Sequence, residues 1–319
     1  MTTAVFLDRA TVGPHISTAP LAALVSRYEE FTETDTVDVV ERCRDVEIVV
    51  TNKVRFGVAE FEQLPALRCI GLTATGTDNV DLTAARAAGV AVANIEGYCT
   101  ASVVQHVFGV ILQLTHHIAR YAHDVQRGAW GNSGQICLHD YPIRELAGRT
   151  LGIIGYGALG QGVANAANAF GLKVIVARRD DQDERPGRLP LPVLLAQADI
   201  VSLHCPLTPA THHLIDADAL AAMRPDALLI NTARGGLIDT EALATALQAG
   251  QLGGAGIDVL ETEPPTASDP LATLALPNLI VTPHIAWAAK EARQRAIDET
   301  AANIAAFLAG TARNRVDLD

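Results

Sequence analysis

Short apolar runs rich in Val, Ile and Leu alternate along this chain with longer Ala-rich stretches. TAVFLD, VEIVVTN, LRCIGLTA and VAVANI, in the first hundred residues, have the length and composition of buried strands. Between them, APLAALVSRYEEF, FEQLPA and LTAARAAG read as helix or loop. A second series follows after residue 150: TLGIIGY, LKVIVAR, ADIVSLHC, ALLINTA, GGAGIDVL and NLIVTPH. This alternation predicts βαβ units and parallel sheets, an α/β fold. The pattern predicts one long buried helix over residues 100–122, because apolar residues fall on several of its faces. Residues 123–148, which contain Trp130, form a long irregular connection that suggests a functional segment or an oligomer arm. The amphipathic stretch at residues 290–310 predicts a final helix that returns to the first domain.

A chain of 319 residues, 49% hydrophobic, has ample core for one large domain or two ordinary ones. Its net charge of −12 argues against nucleic acid or an anionic membrane as the main partner. The five cysteines are scattered and form no C-x-x-C pair, so neither a disulfide framework nor a zinc site is expected. A reducing cytoplasm fits that usage. The opening MTTAVFLDRA reads as a first strand and lacks the basic-then-apolar pattern of a signal peptide. Gln105, His106 and Gln113 interrupt the most apolar stretch, so no membrane span is expected.

Gly155, Gly157 and Gly160 lie between an apolar strand and a helical stretch, spaced G-x-G-x-x-G. The first glycine permits a tight turn, the second a close approach to a pyrophosphate, the third close packing of helix on strand. With Tyr156, Ala158 and Leu159 they form a candidate dinucleotide site whose helix start offers unbonded N–H groups to phosphate. The next strand ends on Arg178 and Arg179, where an NAD site carries an acid for the adenosine ribose. A guanidinium fork suits a 2′-phosphate, which points to NADP(H). Two other readings stand: a solvated basic pair, and dual cofactor use with Asp180 reaching the ribose.

Three further segments, LLINTARGGLIDTEAL, GAGIDVLETEPP and NLIVTPHIAWA, each follow or end a strand and carry Arg234, Glu263 and His284. With GTDNVD, GIIGYGALG and SLHCPLTPAT they make the chain resemble the D-isomer-specific 2-hydroxyacid dehydrogenases over nearly its whole length, and EGYCTASVVQHVFGVILQL, DYPIREL and TPHIAWAAKEARQR make it resemble, within them, the glycerate dehydrogenases, or hydroxypyruvate reductases.

The resemblance implies two doubly wound parallel-sheet domains, with a Rossmann cofactor domain (residues 100–285) inserted in a flavodoxin-like substrate domain (1–99 and 286–319). It implies catalysis by Arg234, Glu263 and His284. A guanidinium can bind the carboxylate of a 2-keto acid, an imidazole can protonate its carbonyl oxygen, and a carboxylate can orient the ring. Taken singly, each has a plain structural alternative: a turn residue, a surface acid, a solvated histidine. The resemblance also implies cofactor contacts from His204, Cys205, Pro206, Thr211, Thr232, Ala233 and Asp258, the last as acceptor for the carboxamide or simply a strand-end cap. Thr75 and Gly76 would hold the substrate carboxylate through backbone N–H groups, with Lys53 adding charge. Trp130 would either close the substrate pocket or lie in an interface, and His106 would pack in the core. The implied protein is a cytoplasmic homodimer using NADP, or NAD, with a small 2-keto acid and no metal. The alternative is a dehydrogenase-like NAD-sensing corepressor.

Overall fold

The structure is a computed structural model that describes residues 2–180 and 182–318. It divides into two compact units: one runs up to Cys99 and resumes at Trp287, the other is Thr100–Ala286. Ala286 therefore groups with the second unit, one residue past the expected boundary.

The first unit is built on five strands: β1 (Thr3–Phe6), β2 (Arg27–Glu30), β3 (Ile48–Thr51), β4 (Cys69–Leu72) and β5 (Ala91–Ala93). All pairings are parallel, in the order β2-β1-β3-β4-β5. This is the flavodoxin-like order. Successive residues of a strand point to opposite faces. Val5, Leu7, Val49, Ile70 and Val92 therefore build one core, and Phe6, Ile48, Val50, Cys69 and Ala91 the other. Between the strands run α1 (Ala19–Ala22), α2 (Val39–Cys43), α3 (Val58–Gln63) and α4 (Leu82–Ala87).

Residues 19–31, expected as helix or loop, also contain a strand. Only Ala19–Ala22 is helical, and Arg27–Glu30 is an edge strand. The cause is tertiary. Phe31 N donates to Phe6 O and Ser26 N to Thr2 O, both at about the ordinary length, so this segment closes the open side of β1. Its charged residues face solvent, as befits an edge.

The second unit opens with α5 (Thr100–His116), followed by α6 (Ile118–Gln126) and α7 (Ala129–Ser133). The single helix expected over residues 100–122 is thus broken. His117 adopts φ +51, and Arg144 N donates to the Thr115 carbonyl, satisfying one of the helix-end acceptors. α5 buries Val107, Ile111 and Leu114, whereas α6 has no buried residue.

Seven parallel strands follow: β6 (Thr150–Ile154), β7 (Lys173–Ala177), β8 (Arg188–Leu189), β9 (Ile200–Leu203), β10 (Leu228–Asn231), β11 (Gly254–Ile257) and β12 (Leu279–Val281). Their order is β12-β11-β10-β9-β6-β7-β8. This is the dinucleotide-fold order with one added strand, and its switch point lies between β6 and β9. The two-residue β8 is too short to show as an apolar run. The helices α8 (Ala158–Ala169), α9 (Leu191–Gln197), α10 (Ala217–Ala222), α11 (Thr240–Gln248) and α12 (Pro270–Thr273) connect the strands. The last helix, α13 (Lys290–Leu308), belongs to the first unit, where Ile297, Ala301 and Ile304 cover one face of the sheet. Among the described residues no helix is long and apolar enough to cross a membrane.

Candidate active site

The glycine turn sits at the switch point. Gly155, at φ +92, lies so close to the His204–Cys205 backbone that a Cβ would stand 2.4 Å from Cys205 N. Gly160 lies over the Gly155 carbonyl, 2.1 Å from where its own Cβ would be. Gly157, by contrast, faces open space, and no side chain caps the start of α8. Its first N–H groups, from Ala158, Leu159 and Gly160, therefore keep the donor capacity and partial positive charge that an anion needs. Tyr156 is exposed beside them, with the Arg188 guanidinium 4.7 Å from its ring centroid.

Across the switch point, His204 Nε2 lies 2.9 Å from Ser202 Oγ, and its Nδ1 is buried with no hydrogen-bond partner among the described residues. Burial pulls the His204 pKa down to about 4, so the ring is neutral near pH 7. Cys205 is a protonated thiol, its pKa raised by burial. Thr211 Oγ1 ties the following turn together by donating to the Pro206 carbonyl at 2.8 Å. Thr232 Oγ1, just past β10, is also buried without a hydrogen-bond partner among the described residues, and Ala233 N is fixed by Asn231 Oδ1 at 3.0 Å. The uncapped helix start, the open face of Gly157 and these orphaned polar atoms fit a bound dinucleotide.

The other half of the rim follows three adjacent strands. Arg234 follows β10, with its carbonyl held by Asn231 Nδ2 at 2.8 Å and its Nη1 donating to Ala233 O at 2.8 Å. Gly235 rests on the backbone of Leu260 and Glu261, where a Cβ would come within 2.0 Å of the Leu260 carbonyl carbon. The Arg234 segment is thereby seated against the loop that bears Glu263. Glu263 Oε1 accepts from Leu260 N at 3.0 Å, and its Oε2 lies 2.6 Å from His284 Nδ1. His284, after β12, has φ +54, and its N–H donates to the Asp258 carbonyl at 2.7 Å. Engaging Nδ1 leaves Nε2 as the ring nitrogen to meet a reactant.

Asp258 is the anchor of this turn. Its carboxylate is 1% exposed and accepts from Thr282 Oγ1 (2.5 Å), Ile285 N (2.9 Å) and Ala286 N (2.8 Å). His106, from α5, brings Nε2 to 3.2 Å from Thr282 Oγ1 and 3.7 Å from Asp258 Oδ1. His106 is therefore part of a polar network, whereas it was expected to be a packing residue. Thr282 was not singled out in the sequence. A polar Gln-His pair within an apolar helix was the available signal for His106.

At the opposite edge, Arg178 and Arg179 leave β7 exposed. Asp180 accepts from Arg179 Nε and from Gln182 N, both at 3.0 Å. Asp183 is nearly buried, accepts from Arg179 N at 2.9 Å, and receives both Arg185 Nε and Nη2 at 2.6 Å. That fork holds the Asp183 carboxyl well below the usual carboxylate range.

In the first unit, buried Asp8 accepts from the backbone of Asn52 (3.0 Å) and Lys53 (2.6 Å), fixing the loop after β3 while the Lys53 side chain stays exposed. Burial raises the Asp8 pKa. Thr75 Oγ1 is spent on the Ile95 carbonyl at 2.7 Å, and Asn94 Nδ2 holds the Thr75 carbonyl at 2.8 Å. Any ligand contact from Thr75 and Gly76 therefore falls to their backbone. Trp130 is exposed, its Nε1 turned to the carbonyls of Gln135 and Ile136, each at 3.1 Å.

Residues 108–286 match the family model described as D-isomer specific 2-hydroxyacid dehydrogenase, NAD binding domain. A glycerate dehydrogenase of Methylorubrum extorquens is 46% identical over 314 residues, covering 98% of both chains. The chain belongs to the D-isomer-specific 2-hydroxyacid dehydrogenase family. It is 38% identical to a hydroxypyruvate reductase of Blautia hydrogenotrophica, covering 91% of both chains. The solved structure of an NADPH-dependent glyoxylate/hydroxypyruvate reductase from Sinorhizobium meliloti, in complex with NADP and malonate, superposes with a TM-score of 0.83 at 27% identity, over 99% of this chain and 96% of that one. As a D-2-hydroxyacid dehydrogenase, the chain is an oxidoreductase with a nicotinamide-binding domain, two parallel-sheet units and the glycine turn between β6 and α8.

Proposed function

We propose that this dehydrogenase reduces small 2-keto acids, hydroxypyruvate and glyoxylate, to D-glycerate and glycolate, with NADPH as preferred cofactor and NADH as a second. The carrying observation is the 2.6 Å contact between His284 Nδ1 and Glu263, on the same rim as Arg234. A bound reduced nicotinamide supplies the hydride. Arg234 holds the substrate carboxylate and polarises the neighbouring carbonyl. His284 Nε2 gives its proton to the carbonyl oxygen, and takes it back in the reverse direction. Glu263 keeps the ring in the orientation that presents Nε2. The Thr75 and Gly76 amides, with Lys53, are assigned to the substrate carboxylate.

Cofactor choice rests on Arg178. Asp180, the acid nearest in sequence for a ribose, is engaged with Arg179 and Gln182. The relatives named as hydroxypyruvate and glyoxylate reductases support the substrate class. In this reading Asp258 supports the His284 turn, and its two oxygens have no need of a carboxamide to be satisfied. The protein acts as a homodimer through the 118–143 segment, where Ile118, Val125, Trp130, Ile136 and Ile143 are exposed. It resides in the cytoplasm, in keeping with its five free cysteines. Steady-state rates for a panel of 2-keto acids with NADH and NADPH test the proposal. Highest kcat/KM is expected for hydroxypyruvate or glyoxylate with NADPH, and absence of turnover with every keto acid would refute it.

A further inference from the structure

Two side chains one helical turn apart on α5 reach the segment that carries His284. His106 Nε2 lies 3.2 Å from Thr282 Oγ1, and Ser102 Oγ donates to the Ala286 carbonyl at 2.6 Å. Positions four apart lie on one face of a helix. Thr282 and Ala286 are the two ends of a five-residue segment, Thr-Pro-His-Ile-Ala, with His284 at its centre. All of these residues belong to the Thr100–Ala286 unit. One face of α5 thus grips both ends of the segment, and the Asp258 carboxylate binds Thr282 Oγ1, Ile285 N and Ala286 N.

The segment needs such a grip. His284 holds φ +54, a left-handed conformation that a residue with a Cβ keeps only where its surroundings over-determine it. Glu263 fixes the ring through Nδ1, whereas the backbone beneath the ring is held from α5 and Asp258. The direction of the bonds follows from counting hydrogens. The Thr282 hydroxyl has one, and it goes to Asp258 Oδ1 at 2.5 Å. The contact with His106 therefore falls on a hydroxyl lone pair, so His106 Nε2 carries a proton and donates it. A hydroxyl that accepts such a bond becomes the stronger donor onward. The chain from His106 through Thr282 ends on Asp258, whose own carbonyl accepts from His284 N at 2.7 Å.

We propose that His106 and Ser102 are positioning residues for the proton-transfer step. Through Thr282 and Ala286 they hold the His284 backbone in the one conformation that presents Nε2 to the substrate carbonyl. Neither acts on a reactant. The inference rests on the reading of His284 as the acid.

The test is steady-state kinetics of the full-length protein with hydroxypyruvate, alongside cofactor affinity from fluorescence titration. His106→Leu should lower kcat by about tenfold, short of the roughly hundredfold that a misplacement of a full ångström can cost, while cofactor affinity holds. Thr282→Val keeps the side-chain shape, loses the hydroxyl and should lower kcat as much. The double variant should be no slower than either single one, because the two residues form one chain. His106→Gln and Thr282→Ser, which restore a donor and a hydroxyl, should recover most of the rate. Ser102→Ala should lower kcat by a smaller factor, about threefold, since it frees only one end of the segment. In a His284→Ala background, His106→Leu should change the residual rate by less than about twofold. Wild-type kcat in His106→Leu and Thr282→Val, an equal loss in His106→Gln, a loss confined to cofactor affinity, or the full tenfold loss in the His284→Ala background would overturn the proposal. Failure of the underlying reading shows separately, as near-normal turnover in His284→Ala alone.

Discussion

The two ends of the seven-stranded sheet are held in opposite ways. At β11 and β12, the Asp258 carboxylate is buried and takes three donors, and the turn it fixes presents His284 to Glu263. At β7 and β8, Arg178 and Arg179 are exposed, and the following loop is tied down by the Asp183–Arg185 fork. Proton transfer tolerates little misplacement, and the residues proposed for it stand where backbone and buried charge leave one arrangement. Discrimination between two cofactors that differ by a phosphate needs only a charge at the right edge. That can be supplied by a side chain in solvent.

If the rim carries the chemistry and the edge carries the choice, the largest effect belongs to His284. His284→Ala should lower kcat by about 10²–10⁴-fold with little change in cofactor affinity, read by steady-state kinetics and fluorescence titration. Near-normal turnover would erase the distinction between the two ends. Arg178→Ala should do the converse, raising KM for NADPH by about 10–100-fold, the worth of a charge-assisted bond, while KM for NADH and kcat hold. An equal loss with both cofactors would show that Arg178 supports the fold and not the choice. Asp258→Asn is expected to destabilise the protein by about 1–3 kcal/mol in urea unfolding, because a buried acceptor is replaced by an amide with donors to place. No change in midpoint would mean that the His284 turn holds itself.

The smallest effect concerns pH. Burial sets the His204 pKa at about 4, below the roughly 6.5 of an unfolded chain. As pH falls, the unfolded chain takes up the proton first. The His204 contribution is therefore fully present above about pH 6.5, declines from there towards pH 4, and flattens below. His204→Gln should remove that part of the acid slope in stability measured from pH 7 to 4. An unchanged slope would place the ring in water.

Most of the two sheets was legible because their strands are buried on both faces and so read as unbroken apolar runs, as at residues 48–51 and 228–231. The exceptions are strands defined by a partner. Arg27–Glu30 is a strand because β1 has an open side, and Arg188–Leu189 because β7 does. The break at His117 was hidden for a similar reason, since its neighbours keep a helical composition. At the site, sequence reading named Glu263 and His284, and the structure bonds them. It could not show Thr282 and His106 around Asp258, because that network joins α5 to β11 and β12 across more than 170 positions.

The arrangement of the units along the chain also bears on synthesis. The Thr100–Ala286 unit is one continuous stretch, so every part of it has been synthesised before α13. The first unit, begun earlier, must wait: Ile297, Ala301 and Ile304 cover one side of its sheet, and Gly71 is shaped to receive Thr300 and Ile304. A released chain ending before residue 290 would thus contain the whole nucleotide-binding unit together with a half-covered sheet, sticky and dependent on chaperones for want of its closing helix.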